Sequence, residues 1–242
     1  MAAERRVRLL GLLLEVSSEL DPNRMCSVGA ELTGTSGAGL MLMSGDVVRG
    51  SVAATNAASA LIEDVQFALG EGPCVDAYHQ DRPVLEPDLA NPATVRWPAF
   101  TDAVVDAGVC AIFGFPLRLG QVRLGALDLY RDRPGPLSDE QHADALAMAD
   151  IATRMVLAMQ AIAPSDQLAM GLQDGDLQYV VHQASGMVAA QLGVSVTQAL
   201  IRLKAYAFGN AQPLRVVAED VVERRLRFAD GDGKTQVKRN ET

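Results

Sequence analysis

Apolar positions along the chain follow two rhythms that alternate through the first two thirds of its length. From Val7 to Leu20 they recur at helical spacing, with Val7, Leu10 and Leu14 on one side, and Asp21-Pro22 closes the run. Asp21 can then cap a second helix with Pro22 in its first turn, reaching about Leu32. The pattern changes to short apolar runs, Gly39 to Met43 and Val47 to Ala54, around Ser44-Gly45-Asp46, which predicts an antiparallel hairpin. Residues 57–67 return to the helical period, and Gly70, Gly72 and Pro73 then impose a turn before Cys74 to His79. Pro87, Pro92 and Pro98 mark residues 86–98 as a surface excursion.

A short helix over Phe100 to Asp106 precedes a second hairpin, Val109 to Leu117 and Val122 to Tyr130. Ser138 and Gln141 have the spacing of a capping box and open a long helix on which Ala145, Met148, Ile151, Met155 and Met159 recur. These methionines exceed what one domain surface needs, which predicts a homodimer held through Ser138 to Gln160. Three further helices are expected at about 177–192, 195–208 and 213–228, separated by Gly193 and Gly209-Asn210. The fold class is therefore α+β: an antiparallel sheet with flanking helices over residues 1–162, a linker over 163–176 and an all-α three-helix module over 177–228. Residues 229–242, polar and without periodicity, are expected to be a disordered tail.

Charge separates the two parts. The net charge of -9 argues against a nucleic-acid partner for the chain as a whole, yet residues 1–170 carry 12 Lys+Arg against 22 Asp+Glu while residues 177–228 carry 6 against 3. Only the C-terminal segment suits phosphate. Arg5, Arg6 and Arg8 before Leu9 to Leu14 do not make a secretion signal, because Gly11 and Glu15 confine the apolar run. No run of about 18 apolar residues occurs, so no membrane is expected and the cytoplasm is the expected compartment. Cys26, Cys74 and Cys110 lie far apart and read as reduced thiols. His79, His142 and His182 have no metal-ligand spacing with one another or with the cysteines, and neither a phosphate loop nor a nucleophile motif occurs. No metal, no catalytic residue and no enzyme activity are expected.

Leu69-Gly70-Glu71-Gly72-Pro73-Cys74, Arg96-Trp97-Pro98-Ala99-Phe100 and Leu124-Gly125-Ala126-Leu127-Asp128-Leu129-Tyr130 together resemble GAF domains of actinobacterial regulators. Gln183-Ala184-Ser185-Gly186-Met187-Val188, then Ala199 to Ala207 and Val217-Ala218-Glu219-Asp220-Val221-Val222, resemble the ANTAR domain. The resemblance implies a sensor responding to a small-molecule or protein signal. It also implies an output domain that binds RNA stem-loops in nascent transcripts, usually as a dimer, to promote transcription antitermination.

On that resemblance the RNA-binding candidates are Ser185, Gly186, Arg202, Lys204, Tyr206 and Arg215. Ser185 stands where many ANTAR sequences carry Lys. Gly186 lies in mid-helix, opposite the core face of Leu177, Val180, Val181, Ala184 and Val188, and leaves a strip of small side chains. Charged flanks such as Arg202 equally make a solvated helix rim, and Tyr206 equally packs into the core. Arg224, Arg225 and Arg227 add charge to the third helix, with the Arg225 stem packed against Phe228. GAF relatives place ligands near residues such as Cys74, Tyr78, Trp97, Phe113 and Phe115, which serve equally well as core; the ligand itself is not specified. A helix start at Cys74 would lower its thiol pKa, whereas burial would leave it inert. The competing readings are a GAF-dimer interaction protein whose helical module binds a protein partner, and a thiol enzyme.

Overall fold

The two apolar runs near residue 40 pair as expected. β1 (Gly37–Ser44) and β2 (Val47–Ala54) form an antiparallel hairpin, preceded by α1 (Ala2–Leu14) and α2 (Pro22–Thr33). This computed structural model describes residues 2–14, 21–44, 47–93, 95–162, 176–210, 212–231 and 234–239. The expected run of the first helix beyond Leu14, the hairpin turn at 45–46 and nearly all of the linker lie outside the described residues. The chain divides into two units, Met1–Gln173 and Asp174–Thr242.

Local chemistry sets the element ends in the first unit. The Asp21 side chain accepts the Asn23 N–H at the start of α2, with Pro22 in the first turn, and Gly34 at φ 60° closes the helix. The Asn56 side chain accepts the Ser59 N–H to begin α3 (Ala57–Leu69), and α4 (Pro73–Gln80) starts on its proline. After β3 (Val84–Glu86) and α5 (Pro98–Val105), β4 (Ala111–Leu119) and β5 (Val122–Arg131) make the second hairpin. In the Ser138 capping box the Gln141 N–H donates to Ser138 Oγ at 3.2 Å, and the Ser138 N–H donates back to Gln141 Oε1 at 2.9 Å. This box opens α6 (Asp139–Ile162).

The strands form a five-stranded sheet in the order β2-β1-β5-β4-β3, antiparallel at every pairing. Helices α2 and α6 cover one face, with α1 packed on them, and there Leu40, Leu42, Phe113, Phe115, Leu127 and Leu129 meet Met25, Met148, Ile151 and Met155. Helices α3 and α4 cover the other. Two expectations change here. Met148, Ile151 and Met155 are consumed by the core of their own unit, because α6 is the layer on which α1, α2 and the sheet all pack. They are therefore not a surplus left over for a second copy. On α1 the buried residues are Leu9 and Leu13, whereas Val7 is 69% exposed. Arg5 and Arg8 reach Asp144 at 2.9 and 3.2 Å, and Arg6 reaches Asp150 at 3.0 Å, so ion pairs with α6 help to set which face turns inward.

The second unit holds α7 (Asp176–Leu192), α8 (Val196–Gly209) and α9 (Leu214–Val222), then β6 (Leu226–Gly231) and β7 (Lys234–Arg239). It is not all-α, and the strands reach into the segment expected to be disordered. Arg224 takes a left-handed φ of 63°, which ends the helical path, and the burial period then changes to two: Leu226 and Phe228 are buried while Arg225 and Arg227 are exposed. Gln191 Oε1 accepts the Phe228 N–H at 2.8 Å and ties β6 to α7. Arg225 accordingly leaves the helix face and pairs with Asp220 at 2.8 Å and with Glu223.

Leu9→Ala is expected to lower the stability of the first unit by about 2–5 kcal/mol, whereas Val7→Ala should change it by less than about 0.5 kcal/mol. Urea unfolding of both variants measures this, and a larger loss at Val7 would reverse the assignment of the α1 face.

Candidate functional site

Three residues lie in one row across the sheet. Asp128 at the middle of β5 is paired in register with Gly39 of β1 on one side and Gly114 of β4 on the other. A Cβ at Gly39 would stand 2.7 Å from Glu63 Cδ, and one at Gly114 would stand 2.6 Å from the Pro73 carbonyl oxygen. The missing side chains therefore let α3 and the start of α4 sit directly on the sheet over Asp128. What they bring is polar. Glu63, Gln66, Cys74 and Asp128 are each no more than 2% exposed, on elements otherwise built from residues such as Ile62, Phe67, Leu127 and Leu129.

Gln66 organises this cluster. Its Nε2 donates to Asp128 Oδ2, and its Oε1 accepts the Cys74 N–H at 2.8 Å. A ligand atom from each of Glu63, Cys74 and Asp128 lies within 4.8 Å of the other two. Both carboxylate oxygens of Glu63 and Oδ1 of Asp128 are buried without a hydrogen-bond partner. Burial pushes the Glu63 carboxyl well above its usual range, and the charges of Asp128 and Asp64 push it further. Burial raises Asp128 to about 6, against the pull of its bonds from Cys74 and Gln66. The Cys74 thiol is raised well above its ordinary value by burial and then by Asp128 and Glu63, so the helix start does not activate it. Two acids and a thiol thus converge on one buried space.

The expected ligand pocket does not form as one cavity. Phe113 and Phe115 lie on the α6 face of β4, inside the apolar core, while Cys74 and Tyr78 belong to α4 on the opposite face. Strand alternation is the reason, since Gly114, between the two phenylalanines, is the residue that faces Pro73. Trp97 is 4% exposed; its Nε1 donates to Asp76 Oδ2 at 3.1 Å, and the Arg96 guanidinium lies 4.3 Å from the centre of its ring. Arg96 also pairs with Glu86 at 3.2 Å, beside a cavity of about 200 Å³ lined by Leu89, Trp97, Thr101 and Asp102. Tyr78 is buried beneath Arg123, whose guanidinium lies 5.3 Å from its ring centre.

In the second unit Ser185 is fully buried and its Oγ donates to the Val181 carbonyl at 2.7 Å, which removes it from the outward face. Gly186 is exposed, and a Cβ there would meet nothing within 4 Å. Arg202, Lys204 and Tyr206 are half-buried on α8; Tyr206 sets its ring edge-on to Phe228 at 5.6 Å. Burial lowers the Lys204 ammonium to about 8. Arg215 is exposed and pairs with Glu219 at 2.9 Å.

Sequence reading did not single out Glu63, Gln66 or Asp128 as site residues, because the α3 residues share no motif with Asp128 on β5. The available signal was a polar residue at a core position: Glu63 and Gln66 three apart on an apolar helix stripe, and Asp128 within an apolar strand.

Residues 22–159 match the family model of the GAF domain. No curated protein sequence matches the chain. Among solved structures, the GAF domain from an Acinetobacter phosphoenolpyruvate-protein phosphotransferase is similar at 13% identity and a TM-score of 0.50, covering 67% of this chain and 96% of that one. The GAF domain from the Coxiella burnetii phosphoenolpyruvate-protein phosphotransferase aligns at 14% identity and a TM-score of 0.49, over 66% of this chain and 97% of that one. Free methionine-R-sulfoxide reductase from Neisseria meningitidis, in complex with its substrate, aligns at 17% identity and a TM-score of 0.48, over 67% and 93%. At 13% identity the likeness to the Acinetobacter domain shows the fold alone.

The raised Asp128 pKa has a defined sign in stability. A carboxyl raised on folding contributes stability in full below its unfolded pKa and loses it as pH rises through about 6. With a chelator present, Asp128→Asn should therefore gain stability relative to the wild type between pH 4.5 and pH 7.5. Thermal unfolding at both values measures this, and a gap that narrows toward pH 7.5 would show that Asp128 is charged and compensated.

Proposed function

The chain belongs to the GAF domain family, matched over residues 22–159, and we propose that it is a signal-responsive RNA-binding transcription antitermination regulator. In this reading the GAF unit is the sensor, and the C-terminal unit, with its resemblance to ANTAR domains, binds RNA stem-loops in nascent transcripts. The observation that carries it is the segregation of charge: 12 Lys+Arg against 22 Asp+Glu over residues 1–170, but 6 against 3 over residues 177–228. Exposed Arg215 and Arg227 and half-buried Arg202 and Lys204 supply that excess, and open space at Gly186 permits close approach of another backbone. The protein acts by binding rather than catalysis, as a homodimer, on transcripts in the cytoplasm. No single helix among the described residues is long and apolar enough to cross a membrane.

A second reading, binding of a protein partner, is favoured by one specific feature. Ile201 and Phe208 are 55% and 81% exposed and, with exposed Ala205 between them, form an i, i+4, i+7 apolar strip on α8.

Titrating the full chain against a double-hairpin RNA separates the readings. Binding is expected at low salt and should weaken on the order of 100-fold between 50 and 200 mM salt if about four phosphates are contacted. Gly186→Leu should abolish it and Gly186→Ala should preserve it; absence of binding at low salt would hand the lead to the protein-partner reading.

Light scattering at micromolar concentration should give twice the chain mass of 25.7 kDa. Phe208→Asp is expected to halve that value if the α8 strip is the self-contact, and a monomeric wild type would remove the dimer.

A further inference from the structure

We propose that Glu63, Cys74 and Asp128 form a binding site for one divalent transition cation of the Zn²⁺ class, enclosed between α3, α4 and β5. The donors come from three elements and are 1%, 0% and 2% exposed, so their convergence is built into the fold rather than being a chance cluster on the surface. Their ligand atoms all lie within 4.8 Å of one another. Metal–oxygen bonds of about 2.0–2.2 Å and metal–sulfur bonds of about 2.3 Å put tetrahedral donors about 3.3–3.7 Å apart, so the side chains close in by up to about 1.5 Å to share one ion.

The unmet polar atoms point the same way. Glu63 Oε1, Glu63 Oε2 and Asp128 Oδ1 are buried without a partner, and the other Asp128 oxygen is held by the Gln66 amide, so no Lys or Arg among the described residues neutralises either acid. One proton shared by the two carboxyls and the Cys74 thiol proton give two donors for three unmatched oxygens, so an acceptor stays unmet. A cation satisfies one oxygen of each acid together with the sulfur. Gln66 acts around the ligands as a positioning residue: its Nε2 holds Asp128 Oδ2 and leaves Oδ1 without a partner, while its Oε1 anchors the backbone N–H of Cys74. Gly39 keeps clear the space against which the Glu63 carboxyl lies.

A thiolate among carboxylates selects a borderline ion such as Zn²⁺ or Co²⁺ over Mg²⁺, which prefers all-oxygen octahedral surroundings. Binding displaces the Cys74 thiol proton to solvent as the metal–sulfur bond forms, together with any proton on Glu63; no electron is transferred. The ion's two positive charges then offset most of the three negative charges of the ligand set. The site stands independently of hairpin binding, because all three donors and Gln66 lie within the first unit.

The test uses full-length protein stripped with chelator and dialysed. Co²⁺ titration is expected to produce a thiolate-to-cobalt charge-transfer absorption in the near ultraviolet that saturates at one ion per chain and is bleached by Zn²⁺. Zn²⁺ should raise the melting temperature, and Mg²⁺ at the same concentration should not. Cys74→Ser should lose the absorption, Cys110→Ser should keep it, and the near-isosteric Glu63→Gln and Asp128→Asn should each weaken Co²⁺ binding at least tenfold while circular dichroism stays that of the wild type. The proposal is overturned if the wild type gives no charge-transfer absorption, or if folded Glu63→Gln and Asp128→Asn bind Co²⁺ as tightly as the wild type.

Discussion

Asp128 is a carboxylate in the middle of the central strand of a sheet covered on both faces, and much of the first unit is arranged around accommodating it. A buried acid needs a donor, and Gln66 supplies one from α3. That bond requires α3 to lie close to β5, which Gly39 permits, and the carbonyl end of the same amide then holds the first turn of α4 through the Cys74 N–H, which Gly114 permits. One side chain therefore couples a strand and two helices, and its neighbours are small because the backbones must approach.

The two sheet faces consequently do different work. Beneath α1, α2 and α6 the contacts are apolar and interdigitated, with methionines filling the irregular space between helices and sheet. Beneath α3 and α4 the packing surrounds a polar cluster whose members are raised in pKa by burial and left with unmatched oxygens. The first face supplies stability. The second retains unsatisfied chemistry, which a GAF-family sensor can use, and it does so on the face of the sheet opposite Phe113 and Phe115.

In the second unit, buried and exposed residues also separate by face. Val181, Ala184, Ser185 and Val188 turn inward on α7, while Gly186 faces out; on α8, Leu200, Leu203 and Ala207 turn inward while Ile201 and Phe208 face out. The β6–β7 hairpin closes the unit by placing Phe228 against Tyr206 and its N–H on Gln191. Tyr206, an RNA-binding candidate on the ANTAR resemblance, is thereby engaged by its own unit.

Elements with strong local signals were readable from the residues. Asp21-Pro22, the Ser138/Gln141 capping box and the paired runs Val109 to Leu117 and Val122 to Tyr130 each encode their structure within a few neighbours, and the structure follows them. The GAF resemblance also rested on contiguous residues. Features that depend on partners distant in the chain were not readable. Whether Leu9 or Val7 of α1 turns inward is settled with α6, roughly 140 residues away, through Asp144 and Asp150. Leu226 and Phe228 fit a helix or a strand until the left-handed Arg224 and the Gln191 side chain decide for the strand. Glu63, Cys74 and Asp128 have no common motif because their proximity exists only after three elements pack over two glycines. Local free-energy preferences are carried by adjacent residues, whereas the pairing of buried charges depends on which surfaces the folded chain brings together, and that only the tertiary structure decides.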